Sequence, residues 1–181
     1  YDGDGRTNLA VFRPSINTWF ILNAARTSFT TTTFGQTGDR LVPADYNGDG
    51  RVDIAVYRPS NNTWFILDSP AGFRTIQFGS AGDRLVPADY DGDGRADVAV
   101  FRNGVWLLLQ SGNNNAFTSV NFGLAGDIPV PGYYDGDGRA DIAVFRNGTW
   151  FYQSSANNNI DVTTQFGVSS DIAIPAAYQQ Q

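Results

Sequence analysis

Acidic residues recur in this sequence at a short, fixed spacing that suits a metal ion. In the second copy of the pattern, side-chain oxygens stand at positions 1, 3, 5 and 9 of a nine-residue stretch, and a backbone carbonyl is available at position 7. The residues are Asp45, Asn47, Asp49 and Asp53, with the carbonyl of Arg51. Gly50 at position 6 permits the sharp turn that wraps a chain around an ion, as in the front half of an EF-hand-like loop. Hard oxygen ligands in this arrangement favour Ca²⁺.

The pattern departs from an EF-hand at its end. Val56 stands at position 12, where an EF-hand carries its closing Glu, so the Asp at position 9 would have to close the site. Asp and Gly are also common turn formers, which is the alternative to metal binding. Carboxylates this close together repel one another unless a cation or raised pKa values relieve them. We therefore expect a metal, and Ca²⁺ in preference to Mg²⁺, which tends to keep its waters.

The copies differ in the ligands that they offer. The third has carboxylates throughout, at Asp89, Asp91, Asp93 and Asp97, with the carbonyl of Arg95. The fourth has Tyr133 at its first position and keeps Asp135, Asp137 and Asp141, with the carbonyl of Arg139. The first offers Asp2, Asp4 and Asn8, with the carbonyl of Arg6, and Ala177 aligns with its first position. We expect the second and third loops to bind Ca²⁺, the fourth to bind more weakly, and the first to be the weakest or empty.

The loops belong to a longer unit that occurs four times. Its phase is marked by Tyr1, Tyr46, Tyr90, Tyr134 and Tyr178, and again by Trp19, Trp64, Trp106 and Trp150. The copies cover approximately residues 1–45, 46–89, 90–133 and 134–177. Nearly every residue belongs to a copy, so we expect one repeat domain over residues 1–181.

Each unit has the pattern of four short strands. In the second copy the strand-like runs are 53–58, 63–67, 74–78 and 85–87. Later copies join the two middle runs through Asn103-Gly104 and Asn147-Gly148, the strongest two-residue signal for an antiparallel hairpin. The chain contains no Glu and no Lys, the residues that build most surface helices, so its composition also favours an all-β fold.

The central strands indicate how the sheets are arranged. Runs such as 64–67 and 105–109 are apolar on both faces, which is typical of strands covered on both sides. Four-stranded antiparallel blades repeated radially satisfy this demand, and we predict a β-propeller of four blades. The segment 171–178 matches the strand before the Asp loop, and we expect it to complete the first blade. A β-solenoid, or four blades of a larger wheel, are the alternatives.

The repeated motifs resemble a known family. The form Asp-x-Asp-Gly-Asp-Gly-Arg-x-Asp, the pair Phe78-Gly79 and the segment 82–87 (Gly-Asp-Arg-Leu-Val-Pro) are similar to those of FG-GAP/VCBS repeats, to which the repeats of integrin α-subunit propellers are related. The resemblance implies Ca²⁺ loops between the first and second strands of each blade, an extracellular location, and roles in adhesion or recognition. Tyr133, Asn8, Ala177 and residues 179–181 depart from the motif.

Composition excludes several classes of function. The net charge is −6 and no Lys/Arg cluster occurs, which argues against a nucleic-acid partner. No apolar run is long enough to span a membrane, and no signal peptide is recognisable. The chain does not begin with Met, so we expect a mature form or a piece of a longer protein. Because His, Cys, Lys and Glu do not occur, we expect no enzyme; a metal-dependent lyase or hydrolase is the disfavoured alternative.

These observations lead to a hypothesis about function. We expect a calcium-stabilised module of the extracellular space or cell surface that recognises a glycan or a protein; the alternative is an architectural subunit of a surface filament or larger assembly. Recognition is expected at the variable connections 23–28, 68–73, 111–117 and 154–160. We expect the four Trp residues to pack between blades rather than stack on a sugar. Four recurring arginines are expected to pair with Asp residues: Arg13, Arg58, Arg102 and Arg146.

Overall fold

A computed structural model describes residues 1, 8–68, 72–157 and 159–174, and all structural statements concern these residues. They form β-strands and three short 3₁₀ turns, with no α-helix among the described residues. The chain divides into two compact units, residues 1–81 and the chain from residue 82 onward. The prediction of an all-β chain built from antiparallel sheets is confirmed.

Each unit contains two sheets whose neighbouring strands are consecutive in sequence. The first sheet consists of β1 (Ala10–Arg13), β2 (Thr18–Leu22) and β3 (Phe29–Thr33). The second consists of β4 (Arg40–Leu41), β5 (Ile54–Arg58), β6 (Thr63–Asp68) and β7 (Gly72–Gln77). The third consists of β8 (Arg84–Leu85), β9 (Val98–Arg102), β10 (Val105–Gln110) and β11 (Ala116–Asn121). The fourth consists of β12 (Ile128–Pro129), β13 (Ile142–Arg146), β14 (Thr149–Ser154) and β15 (Ile160–Gln165).

The tight hairpins form where the Asn-Gly pairs predict them. Arg102 pairs with Val105 across the β9–β10 turn. Asn103 has φ 49° and Gly104 has φ 90°, the left-handed values that a two-residue hairpin turn demands. The β13–β14 hairpin repeats this geometry at Asn147 (φ 49°). These turns set the register of the central strands.

A hydrophobic core lies between the two sheets of each unit. In the second unit, Trp106 and Val144 are both fully buried in one cluster. In the first unit, Trp19 packs with Ile54 and Val56. The indole N–H of Trp106 donates to the Phe122 carbonyl at 3.0 Å, so its polar atom is also satisfied. The prediction that the Trp residues pack in the core is confirmed for Trp19, Trp64 and Trp106, and Trp150 is half-buried.

Three recurring ion pairs fasten the start of a sheet to the end of its second strand. The pairs are Arg58–Asp39 at 2.9 Å, Arg102–Asp83 at 2.7 Å and Arg146–Asp127 at 2.6 Å. Each Arg donates through two nitrogens to both oxygens of its Asp. These carboxylates are almost completely buried, which strengthens the charge-assisted bonds. The predicted Asp pairing of the repeated arginines is therefore confirmed for these three.

The first sheet differs from the others in having three strands among the described residues. Val11 on β1 is 63% exposed, whereas its counterparts Val56, Val100 and Val144 are 0% exposed. Of the predicted closing segment, residues 171–174 form no strand, and residues 175–178 lie outside the described part of the chain. In the described residues, no helix has the length and apolar character needed to cross a membrane.

Candidate metal centre

Each described Asp loop connects the short first strand of a sheet to its second strand. In the third copy, a backbone bridge between Ala88 and Asp97 closes the loop, and Asp97 N–H donates to the Ala88 carbonyl at 2.8 Å. Gly92 (φ 81°) and Gly94 (φ 83°) supply the left-handed conformations inside the loop. The bridge therefore brings the ninth loop residue beside the first. Equivalent bridges join Ala44 to Asp53 and Gly132 to Asp141.

Three carboxylates of the third loop converge on one point. Asp89, Asp91 and Asp97 each place an oxygen within 4.8 Å of the other two. Asp97 is 0% exposed, and the other two are half-buried. Three partly dehydrated negative charges at this separation are the arrangement that a bound cation stabilises.

Backbone donors hold the first of these carboxylates. Asp89 accepts hydrogen bonds from Gly92 N–H at 2.6 Å and Gly94 N–H at 2.9 Å. Burial raises the pKa of Asp89, against the effect of the two donors, and the charges of Asp91 and Asp93 raise it further. The loop backbone thus orients this side chain before any ligand is considered.

The closing carboxylate is the most perturbed one in this loop. Asp97 accepts hydrogen bonds from Tyr90 N–H at 3.0 Å and Ser111 N–H at 2.6 Å. Burial raises its pKa to about 6, and the charge of Asp91 acts in the same direction. A cation at the loop would favour the ionised form of Asp97, because it supplies the opposite charge that the site lacks.

Asp93 was predicted as a ligand, but the structure gives it another contact. Its Oδ2 accepts from the Arg95 guanidinium at 2.5 Å, and its Oδ1 accepts from Ser111 Oγ at 3.0 Å. Burial alone would raise the pKa of Asp93, but the Arg95 guanidinium holds it below its usual value. The sequence analysis considered Arg95 only for its carbonyl, whereas its side chain neutralises one carboxylate of the loop.

The turn after β10 also reaches the third loop, which sequence reasoning missed. Ser111 N–H donates to Asp97, and Gly112 N–H donates to Asp91 Oδ2 at 3.0 Å. The fourth copy repeats this contact, because Ser155 N–H donates to Asp141 at 2.8 Å. The signal that could have revealed the contact is a serine 14 residues after the ninth loop position in both copies. Part of the connections predicted to serve recognition is therefore occupied with supporting the Asp loops.

The second loop uses an amide in place of one carboxylate. Asp45 accepts from Gly48 N–H at 2.7 Å and Gly50 N–H at 2.8 Å, as Asp89 does from its own glycines. The Asn47 side-chain amide donates to Asp53 Oδ1 at 3.1 Å. The amide thus contacts the closing carboxylate directly and replaces the repulsion that two carboxylates would have.

The fourth loop has two adjoining carboxylates, Asp135 and Asp141, and lacks a carboxylate at its first position. Asp135 N–H donates to Asp141 Oδ2 at 3.3 Å, so the two residues are neighbours. Burial raises the pKa of Asp141. Burial acts in the same direction on Asp135, but hydrogen bonds from Ala156 N–H and the Ser154 hydroxyl outweigh it and lower the pKa of Asp135 to about 2. Asp137 accepts from Arg139 Nε at 3.1 Å, which repeats the internal ion pair of the third loop.

Most of the first loop falls on residues that are not described. Asp2, Asp4 and Arg6 lie outside the described part of the chain. Asn8 is described: its Oδ1 accepts from the Tyr1 terminal ammonium at 2.8 Å, and its amide donates to the Leu22 carbonyl at 3.1 Å. The expectation that this loop is the weakest or empty therefore stays a prediction.

Comparison with protein families gives a match that follows the repeats. The model of a family described as FG-GAP-like repeat matches residues 1–56, 45–100 and 89–144. These three overlapping matches cover most of the 181-residue chain, and they contain all four Asp loops. The chain belongs to the FG-GAP-like repeat family. No curated protein sequence matches it. The fourth sheet of this FG-GAP-like chain continues beyond the last match with the same strand order and register as the second and third sheets.

Among the described loops of this FG-GAP-like chain, the third fits a hard divalent cation better than the second and fourth do. Its converging donors are all carboxylate oxygens, which suit Ca²⁺ or Mg²⁺ and do not suit softer metals. The second loop presents the Asn47 amide N–H to Asp53, so this amide must turn before its oxygen can face an ion. The fourth has the Tyr133 phenol where the second and third have a carboxylate. The second, third and fourth loops thus differ in their donor groups, and the order in which the loops bind Ca²⁺ stays a prediction.

Proposed function

We propose that this chain is a calcium-stabilised, non-enzymatic module that recognises a glycan or a protein outside the cell or at its surface. The observation that carries the proposal is the convergence of Asp89, Asp91 and Asp97 within 4.8 Å of one another. Ca²⁺ tolerates irregular sets of six to eight oxygen ligands, whereas Mg²⁺ demands near-octahedral geometry and keeps several waters. A partly buried protein loop with a small number of carboxylates therefore suits Ca²⁺ better.

The energetic effect of such a site depends on where the protein works. At an affinity of about 10⁻⁴ M, millimolar Ca²⁺ stabilises the folded state by roughly 1.5 kcal/mol per site. This is a substantial share of the stability of an ordinary domain. In a compartment with little free Ca²⁺, the carboxylates would repel one another without compensation. An extracellular or cell-surface location follows from this argument and accords with the family.

The proposal of a non-enzymatic role rests on the residues that the chain offers. Its candidate general bases and nucleophiles reduce to Asp, Ser, Thr and Tyr, since His, Cys, Lys and Glu do not occur. The Asp residues of the third loop accept hydrogen bonds from their own backbone, for example Asp89 from Gly92 and Gly94. Because these carboxylates hold the loop backbone, we favour recognition through surface contacts over catalysis.

For the fold, we propose that the four sheets are the blades of a β-propeller and that segment 171–178 supplies the first strand of the first blade. Two observations support this. The apolar core of each unit lies between sheets, as in stacked blades. In the first sheet Val11 is exposed. In the other three sheets the corresponding valine is buried and pairs with the short first strand of its sheet.

Thermal unfolding with Ca²⁺, with Mg²⁺ and with a chelator tests the calcium proposal. We expect Ca²⁺ to raise the melting temperature by about 3 to 6 °C for one occupied site, and Mg²⁺ to raise it less. Asp89→Asn should remove the part of the Ca²⁺ effect that the third loop contributes, because it deletes one converging carboxylate. Asp161→Asn, on the exposed surface of β15, is the matched control and should leave the effect unchanged. A melting temperature that is the same with Ca²⁺ and with chelator would contradict the proposal.

Recognition requires a separate measurement. A glycan array and a panel of extracellular-matrix proteins, each probed with and without Ca²⁺, would identify the ligand class. Saturable binding that weakens with chelator is expected. Binding to neither class under any condition would remove the recognition part of the proposal while leaving calcium stabilisation in place.

A further inference from the structure

The second Asp loop contains the three groups needed to convert its own asparagine. Asn47 is followed by Gly48, which has no side chain to hinder its backbone nitrogen and takes a φ of 78° in an exposed stretch. In an Asn-Gly pair, the glycine nitrogen can attack the side-chain carbonyl carbon of the asparagine to close a five-membered succinimide ring. The reaction is intramolecular, so its rate depends on the groups that surround the pair.

A carboxylate is placed to take the proton from the attacking nitrogen. Gly48 N–H donates to Asp45 Oδ1 at 2.7 Å, a distance at which Asp45 can act as a general base. The second oxygen of Asp45 accepts from Gly50 N–H at 2.8 Å, so the carboxylate is held in this position.

A backbone donor is placed at the oxygen on which negative charge develops. Asp49 N–H donates to Asn47 Oδ1 at 2.8 Å. This hydrogen bond polarises the amide carbonyl and stabilises the oxyanion formed when Gly48 nitrogen adds to it. The Asn47 amide nitrogen, which is the leaving group, lies on the other side and donates to Asp53 at 3.1 Å.

We propose that Asn47 is a site of self-catalysed deamidation, with Asp45 as the base and Asp49 N–H as the oxyanion donor. Gly48 nitrogen forms a bond to the Asn47 side-chain carbonyl carbon, and its proton passes through Asp45 to the amide nitrogen, which departs as ammonia. Water then opens the succinimide at either carbonyl and yields aspartate or isoaspartate at position 47. The net change is the addition of water and the loss of ammonia, without oxidant or cofactor.

The other copies show that the aspartate product is compatible with the loop. Asp91 and Asp135 occupy the corresponding positions in the third and fourth loops. One backbone contact to the closing carboxylate recurs in the second and third loops, since Tyr46 N–H donates to Asp53 as Tyr90 N–H donates to Asp97. Conversion to aspartate would replace the amide donor to Asp53 with a second negative charge. Resting on the proposed calcium function, we expect the converted loop to depend on Ca²⁺ more strongly.

Two further Asn-Gly pairs in the same chain provide internal controls. Asn103-Gly104 and Asn147-Gly148 occupy the tips of tight hairpins. Gly104 is buried, and a β-carbon on it would lie 2.7 Å from the Gly123 carbonyl oxygen. Its own carbonyl accepts from Phe122 N–H at 2.9 Å. A glycine clamped in this way cannot swing its nitrogen toward the asparagine side chain, so these pairs should react slowly in the folded protein.

The test follows the three pairs in intact protein during incubation in mildly alkaline buffer. Trypsin separates them, because cleavage after arginine releases residues 41–51, 103–139 and 147–181. Mass spectrometry then measures the amide-to-acid conversion in each peptide, and synthetic standards distinguish aspartate from isoaspartate. We expect position 47 to convert at least about tenfold faster than positions 103 and 147, and the three rates to approach one another in denaturant. Similar rates in the folded protein would overturn the proposal.

Substitution of Asp45 tests whether fast conversion at position 47 depends on this base or only on the exposure of the loop. Asp45→Asn should slow conversion at position 47 at least about tenfold, while Asp49→Ala, which keeps the backbone N–H, should not. Circular dichroism establishes whether each variant is folded. If Asp45→Asn unfolds, the comparison of positions 47, 103 and 147 in the parent protein decides the proposal. An unchanged rate in folded Asp45→Asn would exclude Asp45 as the base.

The consequence for Ca²⁺ is measured independently. Asn47→Asp reproduces the aspartate product, and its melting temperature should rise more with Ca²⁺ than that of the parent chain. If Ca²⁺ affects neither protein while position 47 still converts fastest, the calcium proposal fails and the deamidation proposal stands. If Ca²⁺ stabilises both proteins while position 47 converts no faster than the hairpin pairs, the deamidation proposal fails and the calcium proposal stands.

Discussion

At the scale of single residues, the third loop depends on how its negative charges are relieved. Asp97 is completely buried and is neutralised in part by two backbone N–H donors, whereas Asp93 has the guanidinium of Arg95. The two N–H donors leave the net negative charge of Asp97 uncompensated, whereas the guanidinium of Arg95 balances the charge of Asp93. Asp97 belongs to the converging group, and Asp93 does not.

The raised pKa of Asp97 predicts a pH dependence of stability for the metal-free protein. Its pKa is about 6 in the folded state and about 3.9 in an unfolded chain, so the folded state holds the proton more tightly. Stability should therefore fall as the pH rises from about 4 to about 6, by on the order of 2 kcal/mol for this group. Unfolding with chelator at a series of pH values measures the slope.

Asp97→Asn supplies the control for this slope. The variant is expected to be less stable overall, because its amide nitrogen would face either Tyr90 N–H or Ser111 N–H. Its stability should nevertheless fall less steeply between about pH 4 and pH 6, since the titrating group is gone. An equally steep fall in the variant would assign the effect to other carboxylates.

At the scale of elements, the Asp loop and the turn after β10 form one unit. Ser111 contributes a backbone N–H to Asp97 and a hydroxyl to Asp93, and Arg95 donates back to the Ser111 carbonyl at 3.3 Å. Two connections that are distant in sequence are thereby held together at one end of the third sheet. The loop geometry consequently depends on an element that is not part of the motif.

Ser111→Ala tests this coupling. The substitution removes the hydroxyl bonds to Asp93 but keeps the backbone bond to Asp97, so we expect a loss of about 1 kcal/mol in the free energy of unfolding. Hydrogen exchange of the backbone amides in 111–115 should also become faster. Ser119→Ala, on the exposed face of β11, is the matched control and should change neither quantity. Equal effects of the two substitutions would show that the hydroxyl does not hold the turn.

At the scale of the whole molecule, the strand proposed to complete the first sheet has a consequence for the burial of Ile174. Ile174 is 86% exposed, yet its counterparts by repeat, Val42, Val86 and Val130, are 4%, 5% and 2% exposed. If segment 171–178 forms a strand as proposed, Ile174 becomes buried in the same way.

Ile174→Asp distinguishes a buried Ile174 in a completed first blade from an Ile174 that stays exposed. In a completed blade the substitution buries a charge and should lower stability by several kcal/mol, which a melting curve detects readily. Val168→Asp is the control, because Val168 is exposed and its counterpart Leu124 is exposed as well. Unchanged melting temperatures in both variants would count against the closing strand.

The repeat sequence alone was sufficient to predict the strands, the tight hairpins and the Arg–Asp pairs. Their causes are local or recur at a constant spacing: Asn-Gly demands a left-handed turn, and each Arg lies 19 residues after its Asp. The same reasoning identified the Asp loops as candidate cation sites. It treated the loop residues as ligands by position alone.

Only the tertiary structure showed how those positions differ. Burial raised the pKa of Asp97, Arg95 turned back to neutralise Asp93, and Ser111 arrived from another connection. None of these contacts was predicted from the sequence. The burial of Asp97 and the Ser111 contact depend on groups that meet across the end of a folded sheet, whereas the Arg95–Asp93 pair is local and depends on how the Arg95 side chain is oriented. The short-range spacing of Asp, Asn and Gly thus predicts the loop, and side-chain contacts and packing decide how each carboxylate is buried and paired.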